Sequence, residues 1–250
     1  MFALAEIILP PLPPALRTDL GLVEAPMLRR VDLALLQALL DTDRLTPGSF
    51  LTPTEQATFA GFTFPKRRRE WLGGRLAAKG AALARAGQPL TAGALAGWQV
   101  NSGPDGRPGL QLVGGAPPVP KMELSISHSH GLAAALVVTA RPCGLDLQQV
   151  TDTVVRVRER FCTEPEAALL HRVVPEARAE VCLSLLWAAK EALRKARGGV
   201  PLTGFLAMHL VGSERLDQQA WCFRLAVAGA REYPVVVWLL EDFAGAMSVV

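Results

Sequence analysis

"EVCLSLLWAAKEALRKARGG", residues 180–199, reads as one long helix. Its apolar residues recur at three- and four-residue spacing, its cations gather in the last turns, and Gly198 and Gly199 stop it. An earlier stretch, "KRRREWLGGRLAAKGAALARAG" (66–87), reads the same way and ends near Gly87, although Gly73 and Gly74 lower its helix propensity. The surroundings match too. "TPTEQATFAGF" (52–62) precedes the first long helix and "TEPEAALLHR" (163–172) the second, both with a Thr/Pro/Glu helix start. Trp71 stands before Arg75 and Lys79 much as Trp187 stands before the basic half of its own helix. Strands follow in each case, "LAGWQVN", "PGLQLV", "MELSIS" and "GLAAALVVTA" (131–140) after the first, "GFLAMHLV" (204–211), "WCFRLAVAG" (221–229) and "EYPVVVWLLE" (232–241) after the second. A further helix is expected over "VDLALLQALLDTD" (31–43). This order predicts an α+β fold of two similar halves, 1–141 and 142–250, related by a pseudo-twofold axis. Each half is expected to be an antiparallel sheet packed with a long helix, with any active site in a cleft between them.

With 250 residues, half of them hydrophobic, the chain has material for a sizeable core. Its net charge of +3 rules out a polycation, so any anion site must come from local clustering. The four cysteines form no C-x-x-C pair, which argues against a zinc site or a disulfide scaffold and for a reduced, cytoplasmic setting. The apolar start "MFALAEIILPPLPPAL" lacks a basic n-region and is broken by prolines, so no signal peptide is expected, and no run approaches the ~20 residues of a membrane span. A nucleic-acid role for "KRRR" (66–69) is disfavoured, because the run sits on an apolar helix and no RNA-binding aromatic motif accompanies it.

Three clusters carry candidate chemistry. Arg68, Arg75 and Lys79 fall in one stripe of the first long helix, beside its apolar face, where Arg suits phosphate bidentately and Lys as a point charge; a solvated face is the bland alternative. "SISHSHG" (125–131) sets Ser125 and Ser127 on one face of a strand with His128 at its end. The histidine suits a phosphate contact or acid–base work; a serine nucleophile lacks the usual elbow around it. In "CGLDLQQV" (143–150), Leu145 and Leu147 alternate with Asp146 and Gln148, so the leucines are expected toward a core and the acid and amide on the other face. Glu191 and Lys195 are i,i+4 neighbours on the second long helix, either a surface ion pair or a metal ligand and a phosphate contact.

Taken in order, "GRP" (106–108), "SISHS" (125–129), "GLDLQ" (144–148), "FCTEPE" (161–166) and "WAAKEALRK" (187–195) resemble the motifs of 4′-phosphopantetheinyl transferases of the Sfp type, and "RRREWLGGRLAAK" resembles that family's basic helix. The resemblance implies transfer of the phosphopantetheine arm of coenzyme A to a serine of a carrier protein, the holo-[acyl-carrier-protein] synthase type of reaction, with adenosine 3′,5′-bisphosphate as the other product. It implies Mg²⁺, with Mn²⁺ as an alternative, held by Asp146 and Glu191, and by Gln148 weakly or through water. Glu191 or a water is the base, and Lys195 contacts the phosphate under attack. It implies coenzyme A contacts from Lys79, Arg75, Arg68, Ser127, His128 and Lys190 as well. The expected partner is an acidic, helical acyl or peptidyl carrier protein, steered by Arg156, Arg158 and Arg160. The two halves would do the work of two subunits in a monomer, with neither nucleic acid nor membrane involved. Gln148 stands where the family usually has Glu and Ser125 where Asn is common. The first departure keeps a second reading open, a non-catalytic module that binds coenzyme A or the carrier with an impaired metal site.

Overall fold

The computed structural model describes residues 3–103, 106–114, 120–174, 177–199, 202–227 and 231–250. It is a mixed α/β structure with two antiparallel sheets. Two compact units emerge, one formed by Met1–Ile8 with Glu24–Arg141, the other by Leu9–Val23 with Pro142–Val250. Strand β1 (Leu4–Glu6) opens the first unit and helix α1 (Pro14–Asp19) belongs to the second, where Asp19 accepts from Arg224 at 2.9 Å.

The first unit continues with β2 (Met27–Asp32), α2 (Leu33–Asp41), α3 (Pro53–Ala60), α4 (Pro65–Arg85), α5 (Ala92–Ala96), β3 (Trp98–Ser102), β4 (Pro108–Leu112), β5 (Met122–Ser129) and β6 (Leu132–Thr139). Its sheet runs β1-β2-β6-β5-β4-β3. Leu72, Leu76, Ala77 and Leu83 of α4 join Trp98, Leu124, Ala133 and Val137 in one core. The helix expected from residue 31 starts at Leu33 instead. Val31 and Asp32 end β2, and the Asp32 carboxylate accepts from the backbone N–H of Ala34 and Leu35 at 2.8 and 2.9 Å, which caps α2.

The second unit comprises β7 (Cys143–Gln149), α6 (Thr153–Arg156), a 3-10 turn (Arg158–Arg160), α7 (Glu164–Val173), α8 (Ala179–Arg197), β8 (Met208–Arg215), β9 (Ala220–Val227), β10 (Glu232–Leu240) and β11 (Phe243–Val249). Its sheet runs β7-β11-β10-β9-β8. This is the order β2-β6-β5-β4-β3 again, so the two units share a topology, with β1 as an extra edge strand in the first. Residues 228–229, expected at the end of "WCFRLAVAG", lie outside the described residues. Gly198, with φ of 57°, follows the last turn of α8 and needs the left-handed region that glycine enters freely. Among the described residues no helix is long and apolar enough to cross a membrane.

Candidate active site

Helix α8 lies close on β7 because Gly144 leaves room for it. A Cβ at Gly144 would stand 1.9 Å from the Ala192 carbonyl oxygen and 2.6 Å from the Ala196 nitrogen. Side chains two apart on a strand share a face, so Asp146 and Gln148 lie on the helix side of β7 with Gly144. The sequence pattern predicted the acid on a face away from the core; both faces of β7 are in fact covered. Leu145 is fully buried, and Asp146 pairs in register with Ala246, which belongs to the α8 core.

Lys195 meets the acid there. Its Nζ donates to Asp146 Oδ1 at 2.8 Å and to the Leu145 carbonyl at 2.9 Å, and the two side chains are 28% and 7% exposed. Glu191, one turn earlier on α8 and 24% exposed, faces Arg194 at 3.5 Å. Gln148 is half-buried, and its amide nitrogen donates to the Gln149 carbonyl at 3.0 Å. The structure therefore joins Asp146 to Lys195 directly and sets Glu191 on the same helix. Arg194, which the sequence reading passed over, is the cation at the Glu191 carboxylate and lies 5.2 Å over the Phe205 ring.

Lys190 and Lys79 require a correction. Both are fully buried, with no face open to a ligand. Lys190 donates to Glu166 and the Phe161 carbonyl at 2.6 Å and to the Phe205 carbonyl at 3.2 Å. Lys79 donates to Glu55 at 2.5 Å and the Phe50 carbonyl at 2.7 Å. Each carboxylate also caps its helix and accepts from a strand, Glu55 from Thr52 and Val100, Glu166 from Thr163 and Leu210. Burial pushes both lysines down from the usual ammonium range, against the pull of their carboxylates. Burial acts to raise Glu166, but donors from Lys190, Leu210 and Thr163 outweigh it and hold the carboxyl below its usual range. A buried ion is tolerated only when paired and hydrogen-bonded, and these are, so both lysines leave the set of candidate coenzyme A contacts.

In the first unit the remaining candidates spread along α4 and β5. Arg68 is exposed and lies 4.2 Å over the Phe59 ring. Arg75 is half-buried, 4.3 Å over Trp71, and burial lowers its pKa against the attraction of Glu55. His128 is half exposed with Nδ1 3.8 Å from Glu70, which is also 3.9 Å from Lys66. The end of "SISHS" thus meets the basic start of α4. Ser127, however, is buried and points to the opposite face of β5 from His128, so the strand separates two residues that the sequence reading grouped.

Arg156 is engaged by Asp152 at 2.6 Å and Arg158 by Glu164, while Arg160 is exposed. Phe161, just beyond, is fully buried, edge-on to Trp187 with centroids 5.1 Å apart.

Chemically, the β7–α8 seam offers two carboxylates, an amide, and the cations of Lys195 and Arg194. Asp146 and Glu191 supply the hard oxygen donors that Mg²⁺ prefers, in the number it commonly takes beside phosphate and water. Among the described residues no group of three His, Cys, Asp or Glu is gathered as a metal cluster.

Residues 142–246, from the start of β7 into β11, match the family model of the 4′-phosphopantetheinyl transferase superfamily. The matched segment is similar to that superfamily over less than half of the chain, and it contains the whole β7–α8 seam. No curated protein matches the chain.

Proposed function

We propose that the protein is a phosphopantetheinyl transferase of the Sfp type, moving the 4′-phosphopantetheine arm of coenzyme A to a serine of an apo carrier protein. The observation that carries this reading is the Asp146–Lys195 pair inside the matched segment, with Glu191 one turn away. In the reaction the serine Oγ attacks the β-phosphorus of the coenzyme A pyrophosphate. A new P–O bond forms to the serine, the pyrophosphate P–O bond breaks, and adenosine 3′,5′-bisphosphate leaves with the electron pair. Lys195 contacts the phosphate under attack and offsets its growing charge, and Glu191 or a water accepts the serine proton. A divalent cation, held by Asp146 and Glu191 with Gln148 as a weak or water-mediated ligand, would neutralise the pyrophosphate. Arg68, Arg75, His128 and Ser127 are proposed coenzyme A contacts on the sequence resemblance, Arg68 and His128 being the exposed ones. An exposed Arg160, with Arg156 and Arg158, suits an acidic carrier. The protein is proposed to work as a cytoplasmic monomer.

The competing reading, a binding module without turnover, is favoured by Gln148 in place of an acid. One experiment separates the two. Protein, coenzyme A and Mg²⁺ are incubated with a panel of apo carrier domains, and adenosine 3′,5′-bisphosphate is followed by chromatography. Release that depends on a carrier supports transfer. Coenzyme A binding by calorimetry with no release from any carrier supports the module.

A further inference from the structure

The two buried ion pairs are one device built twice. Phe50, Thr52, Glu55 and Lys79 recur as Phe161, Thr163, Glu166 and Lys190, a constant offset of 111 positions. Their bonds recur with them. In each unit the lysine donates to the Phe carbonyl and to the Glu, the Thr backbone N–H donates to one oxygen of that Glu, and the other oxygen accepts a backbone N–H from the strand after the long helix, Val100 of β3 at 3.0 Å or Leu210 of β8 at 2.9 Å; Lys79 takes the oxygen that Thr52 shares, Lys190 the one that Leu210 shares. Three elements are thereby pinned to one point on the long helix.

What sits beside the device differs. At the same offset, the positions of Glu191 and Lys195 are Gly80 and Ala84 in α4. A Cβ at Gly80 would stand 2.5 Å from Leu4 Cδ2 of β1, so the extra edge strand occupies the place that the Glu191 side chain takes on α8. The first unit keeps the frame and has no room for the chemistry. The copy in α4 thus stands beside no counterpart of the Glu191 acid or of the Lys195 ammonium.

We infer that Lys190 and Glu166 are positioning residues for the phosphopantetheinyl transfer proposed above, on which this inference rests. Neither touches substrate. Lys190 fixes α8 axially and in rotation, and the next residues on that helix are the ones with work to do. Glu191 follows directly, and Lys195, little more than a turn further on, must reach Asp146 and the Leu145 carbonyl. A shift of α8 along β7 by a fraction of a turn leaves the core packed but breaks that reach. Misplacement of about 1 Å in a reacting constellation costs on the order of 10²-fold.

The duplication supplies its own control. The double variants K190M/E166Q and K79M/E55Q each remove one charge pair and keep similar side-chain volume. Both should lower the thermal midpoint by similar amounts. K190M/E166Q should lower kcat at least tenfold with the coenzyme A KM changed less than twofold, whereas K79M/E55Q should keep kcat within twofold. Equal loss in both, or loss in neither, overturns the inference. If K190M/E166Q does not fold, E166Q against E55Q is read in the same way. Amide hydrogen exchange keeps the test independent of catalysis. The 190/166 variant should speed exchange in β7, residues 143–149, and the 79/55 variant should leave β7 unchanged; slow β7 exchange in both overturns the inference. Absence of transfer by the wild-type protein, with the β7 exchange pattern as stated, would instead defeat only the proposed reaction.

Discussion

Lys195 Nζ bridges Asp146 Oδ1 and the carbonyl of Leu145, so a helix and a strand distant in the chain are joined by the residues that carry the proposed chemistry. This one ammonium holds the carboxylate at 2.8 Å and is the cation proposed to meet the phosphate. Lys195→Ala should therefore reduce transfer by about 10²-fold or more, in the range of losing one electrostatic stabiliser of a transition state. Lys195→Arg should restore only part of it, because a planar fork does not replace a compact ammonium. Steady-state kinetics check both, and wild-type kcat in Lys195→Ala would remove Lys195 from the site.

Gly144 makes that bridge short. Gly144→Ala puts a methyl group into the Ala192 carbonyl, and backbone cannot swing away as a side chain can. The cost should be at the upper end of overpacking, about 3 kcal/mol, with transfer falling further than stability alone explains. Denaturant midpoints and kinetics on the same sample measure the two effects.

The Glu166 carboxyl is held below its usual range by three donors, so its contribution has a definite sign with pH. Above the ordinary glutamate value of about 4.3 the contribution is complete, and it is lost as pH falls through the lower, folded-state value. The stability gap between wild type and Glu166→Gln should be wide at pH 6 and narrow steadily toward pH 3. A gap that stays constant over that range contradicts the account. At neutral pH, removing a single partner, as in Lys190→Met, should cost about 3–5 kcal/mol, because it strands a buried carboxylate.

All four cysteines are free and buried, and burial pushes the Cys162 and Cys222 thiols up to about 11. Thiolate is the reactive form. The native protein should therefore react slowly with a thiol-specific dye at pH 7.5, and all four thiols should react once denaturant is added. Rapid labelling of the folded protein would show that the cores around them open.

Much of the architecture was legible in sequence because it is written in strong local signals. The Thr/Pro/Glu starts of α3 and α7 are capping boxes, and the long helices end near their glycines. The strands that escaped notice carry weak signals: β1 is three residues long, β2 runs into a helix, and β11 is "FAGAMSV", rich in small residues with little intrinsic strand preference. The repeat is visible in the order of its elements, but the two tryptophans are not equivalent positions in it. At the offset of 111 that the ion pairs define, Trp187 corresponds to Leu76, and Trp71 to Cys182. A lysine on a helix reads as a surface cation until a glutamate in the same relation to it is found in both halves. Asp146 and Lys195 could be nominated from sequence, whereas their contact depends on Gly144, whose role is visible only when the helix is in place.

The most direct test of the central claim is intact mass spectrometry of an apo carrier domain after incubation with coenzyme A, Mg²⁺ and either the wild-type protein or Asp146→Asn. The account predicts a mass gain of one phosphopantetheine arm on the carrier serine with wild type, and little or none with Asp146→Asn in a protein that still melts cooperatively. An equal mass gain with both would show that the transfer is carried elsewhere than the β7–α8 seam.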